Sequence, residues 1–557
     1  MTRVNAWLAA AVAAVFAPNL IHLADAAIGS GSSDALKHVW SQWIVHQQLD
    51  AGEPLAMTTS LIHHPTGGAF FSLDTINAWL GWPLREWLGA VLTYNVVVIL
   101  NVALAAWTAK TLARSLDLDG SAQWLAGFSF AVSAWMLCFP LASGVSETAV
   151  VWPLPLIVLA ARNTWRNPGW AWPLAGGVLL MVQGAACWSH GITAGLLLGC
   201  LGLANHRELR SDPRRLLRFG VLFGTALAIA IPLYAAISGT VSADDAIKAR
   251  TLSIFHSSPL SPLDVPEANS MALVDFFLPG SWGRRVSQAG TEQLMYAAYP
   301  GWVLLFLGSL AVRNKRPGSR LLLAGMAVFA LLSMGPRVYL DHARTLGGVP
   351  NPVYLLAYWV IPLVNATIHS VDRFAVGVQL CAGLLAAIGL ASCRASHRRI
   401  ALIAVFCETL LASPGKWPVP MVQARLHPTA LHIGDRPGTG AVIDIPYMSG
   451  DGTQAWFNGD VFLQQTAHGR PIPFQLEGHG IETAHPTIAA NPYFRSLSAD
   501  RAPAVPCDGV AELRALNVEW IVLRAGASEA VVKSLDTCLT AELDAAGRRV
   551  FRLPSNP

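Results

Sequence analysis

A group of ionisable side chains lies in one stretch, residues 29–74, between two apolar segments that are each long enough to cross a bilayer. The group includes Asp34, Lys37, His38, His63, His64 and Asp74. Ionisable side chains are costly to keep at a membrane edge, so their concentration there suggests a functional site. For any single member, ordinary solvation in a polar loop is the simpler explanation.

Asp34 directly precedes a run that is predicted to be helical. A carboxylate in this position could act as a general base, taking the proton of a hydroxyl group as a new bond forms. It could equally serve only as the N-cap of the helix. Lys37 and His38 follow within one helical turn, so they project from a similar face. They could steady a phosphate or simply face lipid headgroups.

The adjacent histidines His63 and His64 precede Pro65 and a pair of glycines, a pattern that predicts a turn. They could polarise a hydroxyl group or, together with Asp34 or Asp74, bind a divalent cation. Neighbours in an extended chain point to opposite faces, so ligation of one ion by both histidines is strained. The sequence contains no CxxC, HExxH or Walker-type glycine loop. We therefore expect no cofactor, with a divalent cation as the minor alternative.

The composition indicates an integral membrane protein. Hydrophobic residues make up 53% of the 557 residues and charged residues only 13%, whereas soluble domains carry about 25% charged residues. The net charge of +4 is small, and no basic run interleaves with aromatic residues, so nucleic-acid binding is not expected. Apolar runs predict about eleven crossings within residues 1–413.

The Lys/Arg-rich turns between the predicted crossings all fall on one side of the membrane. The positive-inside rule places that side in the cytoplasm, so the loops at residues 24–87 and 238–299 are predicted to be exported. The segment at residues 354–364 is short and contains a proline, which favours a re-entrant or interfacial helix. His190 is expected to be a satisfied histidine at the outer surface. Glu408 is the clearest acid inside a crossing.

The composition changes at residue 414, after which no apolar run approaches the length of a membrane span. Residues 440–447 and 518–524 resemble buried strands, while residues 509–516 and 530–536 are predicted to be helical. Residues 414–557 therefore predict a small α/β domain. Cys507 and Cys538 both fall in it and could form a disulfide in an oxidising compartment.

Three stretches carry a resemblance to a known family. They are SSDALKHVWSQW with LIHHPTGGAFFSLDTINAWLGWPL, then YWVIPLVNATIHSVDRFAVGVQL, and finally GAVIDIPY with FLQQTAHGRPIPFQ. In these motifs, and in its order of helix, exported loop, many helices and exported tail, the chain resembles the GT-C superfamily, in particular a bacterial multi-pass subgroup. GT-C proteins are integral-membrane glycosyltransferases that use polyprenyl-phosphate-linked donors. Many have an Asp-Glu or Asp-Asp pair in the first loop, whereas Ala35 follows Asp34 here.

The resemblance implies a polytopic α-helical membrane protein of a bacterial inner membrane with a C-terminal extracytoplasmic α/β domain. It further implies transfer of a sugar, with inversion, to an envelope glycan, lipid or protein acceptor, with Asp34 as the base. Arg373 is the best candidate for binding the donor phosphate, because a guanidinium can hold two phosphate oxygens. Pairing with Asp372 and snorkelling to the interface are alternatives for this arginine. Lys37 and His38 would assist it.

Two other functions remain open. A flippase or transporter of lipid-linked glycans would keep charged groups facing a central cavity, whereas most charge here lies in loops. An inactive relative could instead serve as a scaffold or glycan-binding subunit, with the exported tail as its working part.

Overall fold

A computed structural model describes residues 3–30, 34–53, 58–69, 74–243, 270–279, 298–341, 346–360, 368–412, 417–446, 459–475, 484–503, 507 and 509–553. Most of the predicted exported loop 238–299 lies outside these residues. The predicted re-entrant segment 354–364 is described up to residue 360, where it is helical.

Among the described residues, the α-helices, numbered in chain order, are α1 Arg3–Phe16, α2 Ala35–Asp50, α3 Thr75–Gly81, α4 Arg85–Ser115, α5 Gly120–Ala131, α6 Ala134–Met136, α7 Pro153–Arg166, α8 Ala171–Ala186, α9 Trp188–Ala204, α10 His206–Ser211, α11 Pro213–Ala243, α12 Trp302–Arg313, α13 Ser319–Ser333, α14 Pro352–Val360, α15 Ala375–Leu390, α16 Ala395–Ala412, α17 Pro428–Gly434, α18 Gly459–His468, α19 Pro486–Ala490, α20 Pro492–Ser498, α21 Val510–Ala515 and α22 Glu529–Cys538. The strands are β1 Ala26–Ile28, β2 Thr58–Thr59, β3 Gly68–Ala69, β4 Arg337–Tyr339, β5 Gly347–Pro350, β6 Met421–Gln423, β7 Ala441–Ile445, β8 Val518–Leu523, β9 Ala541–Ala545 and β10 Arg548–Arg552. Short 3-10 turns include Ser146–Ala149 and Ile368–Phe374.

The chain divides into two compact units. The first comprises Met1–Ser33, Asp74–Ala236 and Thr251–Val422, and the second comprises Asp34–Leu73, Ile237–Arg250 and Gln423–Pro557. Most of the first loop, from Asp34 onward, therefore shares a unit with the C-terminal residues. The sequence-based domain boundary at residue 414 stays a prediction.

The chain is a membrane protein. Five helical stretches among the described residues are long and apolar enough to cross a bilayer: Val4–His22, Thr75–Ser115, Gly120–Ala142, Pro213–Pro232 and Val371–Leu390. Shorter apolar helices accompany them: Ala171–Ala186, Trp188–Ala204, Trp302–Arg313 and Ser319–Ser333. The count of about eleven crossings remains a prediction.

The first unit is built around α15, whose residues are all buried. Helices α12 and α13 pack on it, and α5 packs on both α15 and α4. Gly389 permits the tightest of these contacts, because a Cβ at that position would collide with the carbonyl oxygen of Leu307 in α12. Main chain thus meets main chain where α12 crosses α15.

Asn95 of α4 fixes the segment that leaves the first helix. Its Oδ1 accepts from the Ile28 amide at 2.8 Å, and its Nδ2 donates to the carbonyls of Leu23 and Ala26, both at 2.7 Å. Because the side chain is fully buried, these bonds satisfy backbone groups that would otherwise lack partners. The chain is therefore held on α4 just before the loop that carries Asp34.

The C-terminal part of the second unit is a four-stranded sheet of order β7-β8-β10-β9. Strands β7 and β8 are parallel, and β10 is antiparallel to both of its neighbours. A core of Ile433, Val442, Trp520, Val522 and Val550 covers one face of the sheet. Strands β7 and β8 and helices α21 and α22 lie where the sequence predicts them. A disulfide joins Cys507 to Cys538.

Candidate functional site

The predicted site residues fall in both units. Asp34, Lys37, His38, His63 and His64 belong to the second unit, and Asp74 and Arg373 belong to the first. The two groups are described in turn.

Asp34 lies at the N-terminus of α2 with its side chain partly exposed. Its backbone has φ −76° and ψ 2°, whereas a capping residue normally has extended backbone angles. Accordingly, the side chain makes no cap hydrogen bond to the described amides of α2. The capping interpretation is therefore not realised, and the carboxylate is not committed to its own helix.

Lys37 and His38 lie on the first turn of α2. The amide of His38 donates to the carbonyl of Asp34 at 3.0 Å, so helical geometry begins at the aspartate itself. Lys37 is half-buried and the imidazole of His38 is buried. The helix thus brings both side chains into the turn that follows the carboxylate, as their spacing predicts.

His63 and His64 are held by the C-terminal part of the same unit. Their amides donate to the carbonyls of Phe474 and Ile472 at 3.0 and 3.1 Å. The His63 ring packs on the His485 ring at 4.7 Å between centroids. Nε2 of His64 lies 2.6 Å from the carbonyl oxygen of Leu516.

Burial lowers the pKa of His64, although its hydrogen bond to the Leu516 carbonyl opposes the shift. Because a carbonyl oxygen can only accept, Nε2 of His64 carries the proton in this contact. Within the described part of the chain, no group of three or more His, Cys, Asp or Glu side chains is placed to hold a metal ion. A role for this histidine pair in binding substrate or a cation stays a prediction.

His468 and Arg470 have structural roles in the C-terminal part. Nδ1 of His468 accepts from the Arg470 amide at 3.1 Å, and the Arg470 guanidinium donates to Glu519 at 2.8 Å and to the Arg436 carbonyl at 2.6 Å. Burial lowers the pKa of His468 to about 3, and the Arg470 charge adds to this. These residues stabilise a buried turn.

Asp74 of the first unit belongs to a buried polar network. Its backbone is left-handed, with φ 79°, and its side chain is only 2% exposed. The carboxylate accepts from Asn77 Nδ2 at 2.5 Å and from Ser146 Oγ at 2.7 Å, and Asn101 Nδ2 donates to Asn77 Oδ1 at 2.6 Å. These bonds hold the start of α3 to α4 and to the turn Ser146–Ala149.

Arg373 ends a 3-10 turn directly before α15, and its side chain is 17% exposed. Nη2 lies 3.9 Å from Glu147 Oε1, Nη1 lies 4.0 Å from Cys187 Sγ, and the guanidinium lies over the Phe139 ring at 5.6 Å. These contacts are long for hydrogen bonds. Among the described residues, Nε of Arg373 has no hydrogen-bond partner, and the neighbouring Asp372 carboxylate also acts on the guanidinium through its charge.

The turn Ser146–Ala149 connects two of the predicted residues. Ser146 donates to Asp74, and the next residue, Glu147, faces Arg373. Sequence reasoning did not single out Glu147. The sequence offered one indication, since Glu147 lies between two apolar runs. A buried acid there is not expected to remain unpaired, so it predicts a positively charged partner.

His190 does not have the predicted position at the protein surface. It lies in the first turn of α9 with no exposed area, and its ring packs edge-on against Trp135 at 5.5 Å. Neither ring nitrogen has a hydrogen-bond partner among the described residues. The prediction of a surface histidine is wrong because α9 packs this side of its first turn against the α6 region.

Glu408 stabilises the start of α12. Its carboxylate accepts from the amides of Trp302 and Val303 at 2.7 and 3.1 Å and from the Tyr299 hydroxyl at 2.5 Å. An acid at this place satisfies unpaired amides and the positive end of the helix dipole. The clearest acid inside a crossing is thus accounted for by helix capping.

No protein-family model matches the sequence, and no curated protein matches it. The structure is similar to arabinofuranosyltransferase AftD from Mycobacteria, with 16% identity and a TM-score of 0.53 over 100% of this chain and 42% of that one. It is also similar to the oligosaccharyltransferase of Archaeoglobus fulgidus, with 13% identity and a TM-score of 0.50 over 93% of this chain and 69% of that one. This chain thus spans less than half the length of AftD. The chain thus shares its fold with these two glycosyltransferases.

Proposed function

We propose that the chain is a GT-C glycosyltransferase of a bacterial inner membrane. It moves a sugar from a polyprenyl-phosphate-linked donor to an envelope glycan, lipid or protein acceptor on the exported side, where its C-terminal domain also lies. The GT-C fold supports the general class of reaction. The first-loop motif with Asp34 supports the exported side and the donor class.

In the proposed reaction, an acceptor hydroxyl attacks C1 of the donor sugar. The bond between C1 and the phosphate oxygen breaks as the new C1–O bond forms, and polyprenyl phosphate leaves with the bonding electron pair. Asp34 takes the hydroxyl proton. Attack opposite the leaving phosphate inverts the anomeric centre.

The leaving phosphate gains negative charge in the transition state, which cationic donors stabilise. Arg373 is the proposed donor-phosphate residue, because its guanidinium is oriented by Glu147 and Phe139 and these contacts, within the described part of the chain, are long. Lys37 and His38 are proposed to contribute on the first turn of α2. His63, His64 and Asp74 remain candidates for contacts with substrate or a cation.

The observation that carries this proposal is the state of Asp34. A partly exposed carboxylate opens the first helix of the exported loop and makes no cap bond to the described part of that helix. In a protein with a glycosyltransferase fold, general base catalysis is the chemistry that best uses such a group.

The test compares Asp34→Asn with Glu53→Gln, an acid-to-amide change at an exposed residue of the same loop. Both proteins are placed in liposomes with polyprenyl-phosphate-linked sugars and an envelope extract as the acceptor pool. Loss of a general base lowers the rate by ~10²–10⁴-fold, whereas Glu53→Gln should transfer like the wild type. A folded, inserted Asp34→Asn protein with wild-type transfer would rule out the base.

A catalytically inactive scaffold is the second candidate, and it is favoured by Ala35, which stands where many GT-C enzymes have a second acid. It predicts that the full chain binds a lipid-linked sugar without consuming it. Measuring donor binding and donor consumption on the same preparation separates the two functions.

A further inference from the structure

We propose that the C-terminal part of the second unit positions the helix that carries Asp34, and that Gln465 is the residue through which it does so. This inference rests on the proposed role of Asp34 as the base. The proposed positioning role gives the C-terminal part of the second unit a function in catalysis that requires no glycan binding.

Gln465 of α18 joins three separate segments. Its Oε1 accepts from Trp40 Nε1 at 2.7 Å, and its Nε2 donates to the carbonyls of Leu61 and Arg470 at 2.5 and 2.9 Å. The side chain is fully buried. Loss of either hydrogen-bonding end of a buried side-chain amide destabilises the protein, because the former partner is left buried without a hydrogen bond to protein or water.

Trp40 transmits this attachment to Asp34. It is fully buried, and its ring packs edge-on against Phe462 of α18 at 5.4 Å. Trp40 and Asp34 lie less than two turns apart on one hydrogen-bonded segment, so fixing the indole also fixes the helix axis near the carboxylate. A shift of about 1 Å in a catalytic group can lower a rate by ~10²-fold.

Main-chain pairing attaches the same loop a second time. The amides of His63 and His64 donate to the carbonyls of Phe474 and Ile472, and the Ile472 amide donates to the Leu61 carbonyl at 2.9 Å. The Leu61 carbonyl thus accepts from both the Ile472 amide and the Gln465 side chain. Two sequence motifs, LIHHPTGG and FLQQTAHGRPIPFQ, are brought together by these bonds.

Gln464 provides a matched control. It precedes Gln465 on α18 and is also buried. Its Oε1 accepts from the His427 amide at 2.7 Å, and its Nε2 donates to the Arg425 carbonyl at 3.1 Å and to Asp460 at 2.9 Å. Within the described residues, these bonds all stay in the C-terminal part and reach neither α2 nor the first loop.

The experiment compares Gln465→Met with Gln464→Met in the full-length protein. Amide hydrogen exchange of residues 35–50 reports on the attachment of α2 without reference to activity. We expect faster exchange there in Gln465→Met alone, with a fall in kcat of ~10-fold or more and little change in KM for the donor. Gln464→Met should change exchange near residues 425–430 and leave α2 unchanged.

The same substitutions in an Asp34→Asn background separate positioning from general loss of structure. If Gln465 acts through Asp34, Gln465→Met has no further effect on kcat once the carboxylate is gone. A full additional fall in that background would contradict the positioning role. Trp40→Phe, which removes the indole N–H and keeps an aromatic ring, provides a milder variant should Gln465→Met fold poorly.

The outcomes are distinguishable. Unchanged exchange of residues 35–50 in both Gln465→Met and Trp40→Phe would overturn the attachment, whatever the rates. If residues 35–50 exchange faster in Gln465→Met but Asp34→Asn has wild-type activity, the attachment of α2 holds and the role of Asp34 as the base is rejected. Equal effects of the Gln464 and Gln465 substitutions on α2 would also overturn the inference.

Discussion

Replacing Asp444 with asparagine should stabilise the C-terminal sheet near neutral pH and have no such effect in acid. Asp444 lies in β7 and is only 2% exposed. Burial raises the pKa of its carboxyl to about 6; nearby Asp460 adds to the shift, and Arg524 and Arg548 oppose it. The folded state therefore favours the protonated form of this side chain.

The magnitude follows from proton linkage. The unfolded carboxyl has a pKa of about 3.9, so the folded value of about 6 corresponds to a stability difference of roughly 3 kcal/mol. Because the folded pKa is raised, this stability is fully present below about pH 4 and is lost as the pH rises through about 6. Asp444→Asn should thus gain up to roughly 3 kcal/mol at about pH 7.5 and nothing at about pH 4.

The assay is amide hydrogen exchange of β7 and β8 in the full chain, corrected for the intrinsic exchange rate at each pH. Asp435→Asn, at an exposed residue of the same unit, serves as the control and should change the opening free energy by less than about 0.5 kcal/mol. A destabilised Asp444→Asn sheet at about pH 7.5, or a gain equally large in acid, would refute the reasoning.

Two further substitutions test the first unit. Gly389→Ala should lower the thermal midpoint of the purified protein by an amount equivalent to ~1–3 kcal/mol or more, because its Cβ would meet the Leu307 main chain. The control Gly199→Ala, where a Cβ has open space, should leave the midpoint unchanged. Equal midpoints for the two variants would contradict the close crossing of α12 and α15. Arg373→Lys keeps the positive charge but removes the planar guanidinium, so KM for the donor should rise by about tenfold. A lysine variant with the wild-type KM would argue against bidentate phosphate binding.

Much of the fold could be predicted from local patterns. Long apolar runs predicted the membrane helices, and short runs rich in β-branched residues predicted β7 and β8, because buried segments have characteristic patterns of apolar residues. The composition change at residue 414 indicates a domain boundary, which stays a prediction. Asp34 was also correctly placed at the start of a helix, although its side chain makes no cap hydrogen bond to the described amides of that helix.

The contacts that organise the candidate site could not be predicted in the same way. Glu147 meets Arg373, and Gln465 meets Trp40, across hundreds of residues of sequence. Periodicity shows that a side chain is buried but not which distant residue it meets. The burial of His190 was missed for the same reason, since it depends on Trp135 from another segment.

The most direct measurement is the release of polyprenyl phosphate from labelled polyprenyl-phosphate-linked glucose, mannose, galactose and arabinofuranose. Cleavage of the C1–O bond to phosphate accompanies every transfer, whichever acceptor is used. We predict that the wild-type protein releases polyprenyl phosphate from at least one donor, and that Asp34→Asn lowers this rate by ~10²-fold or more. Background release from every donor, or equal release by both proteins, would contradict the account.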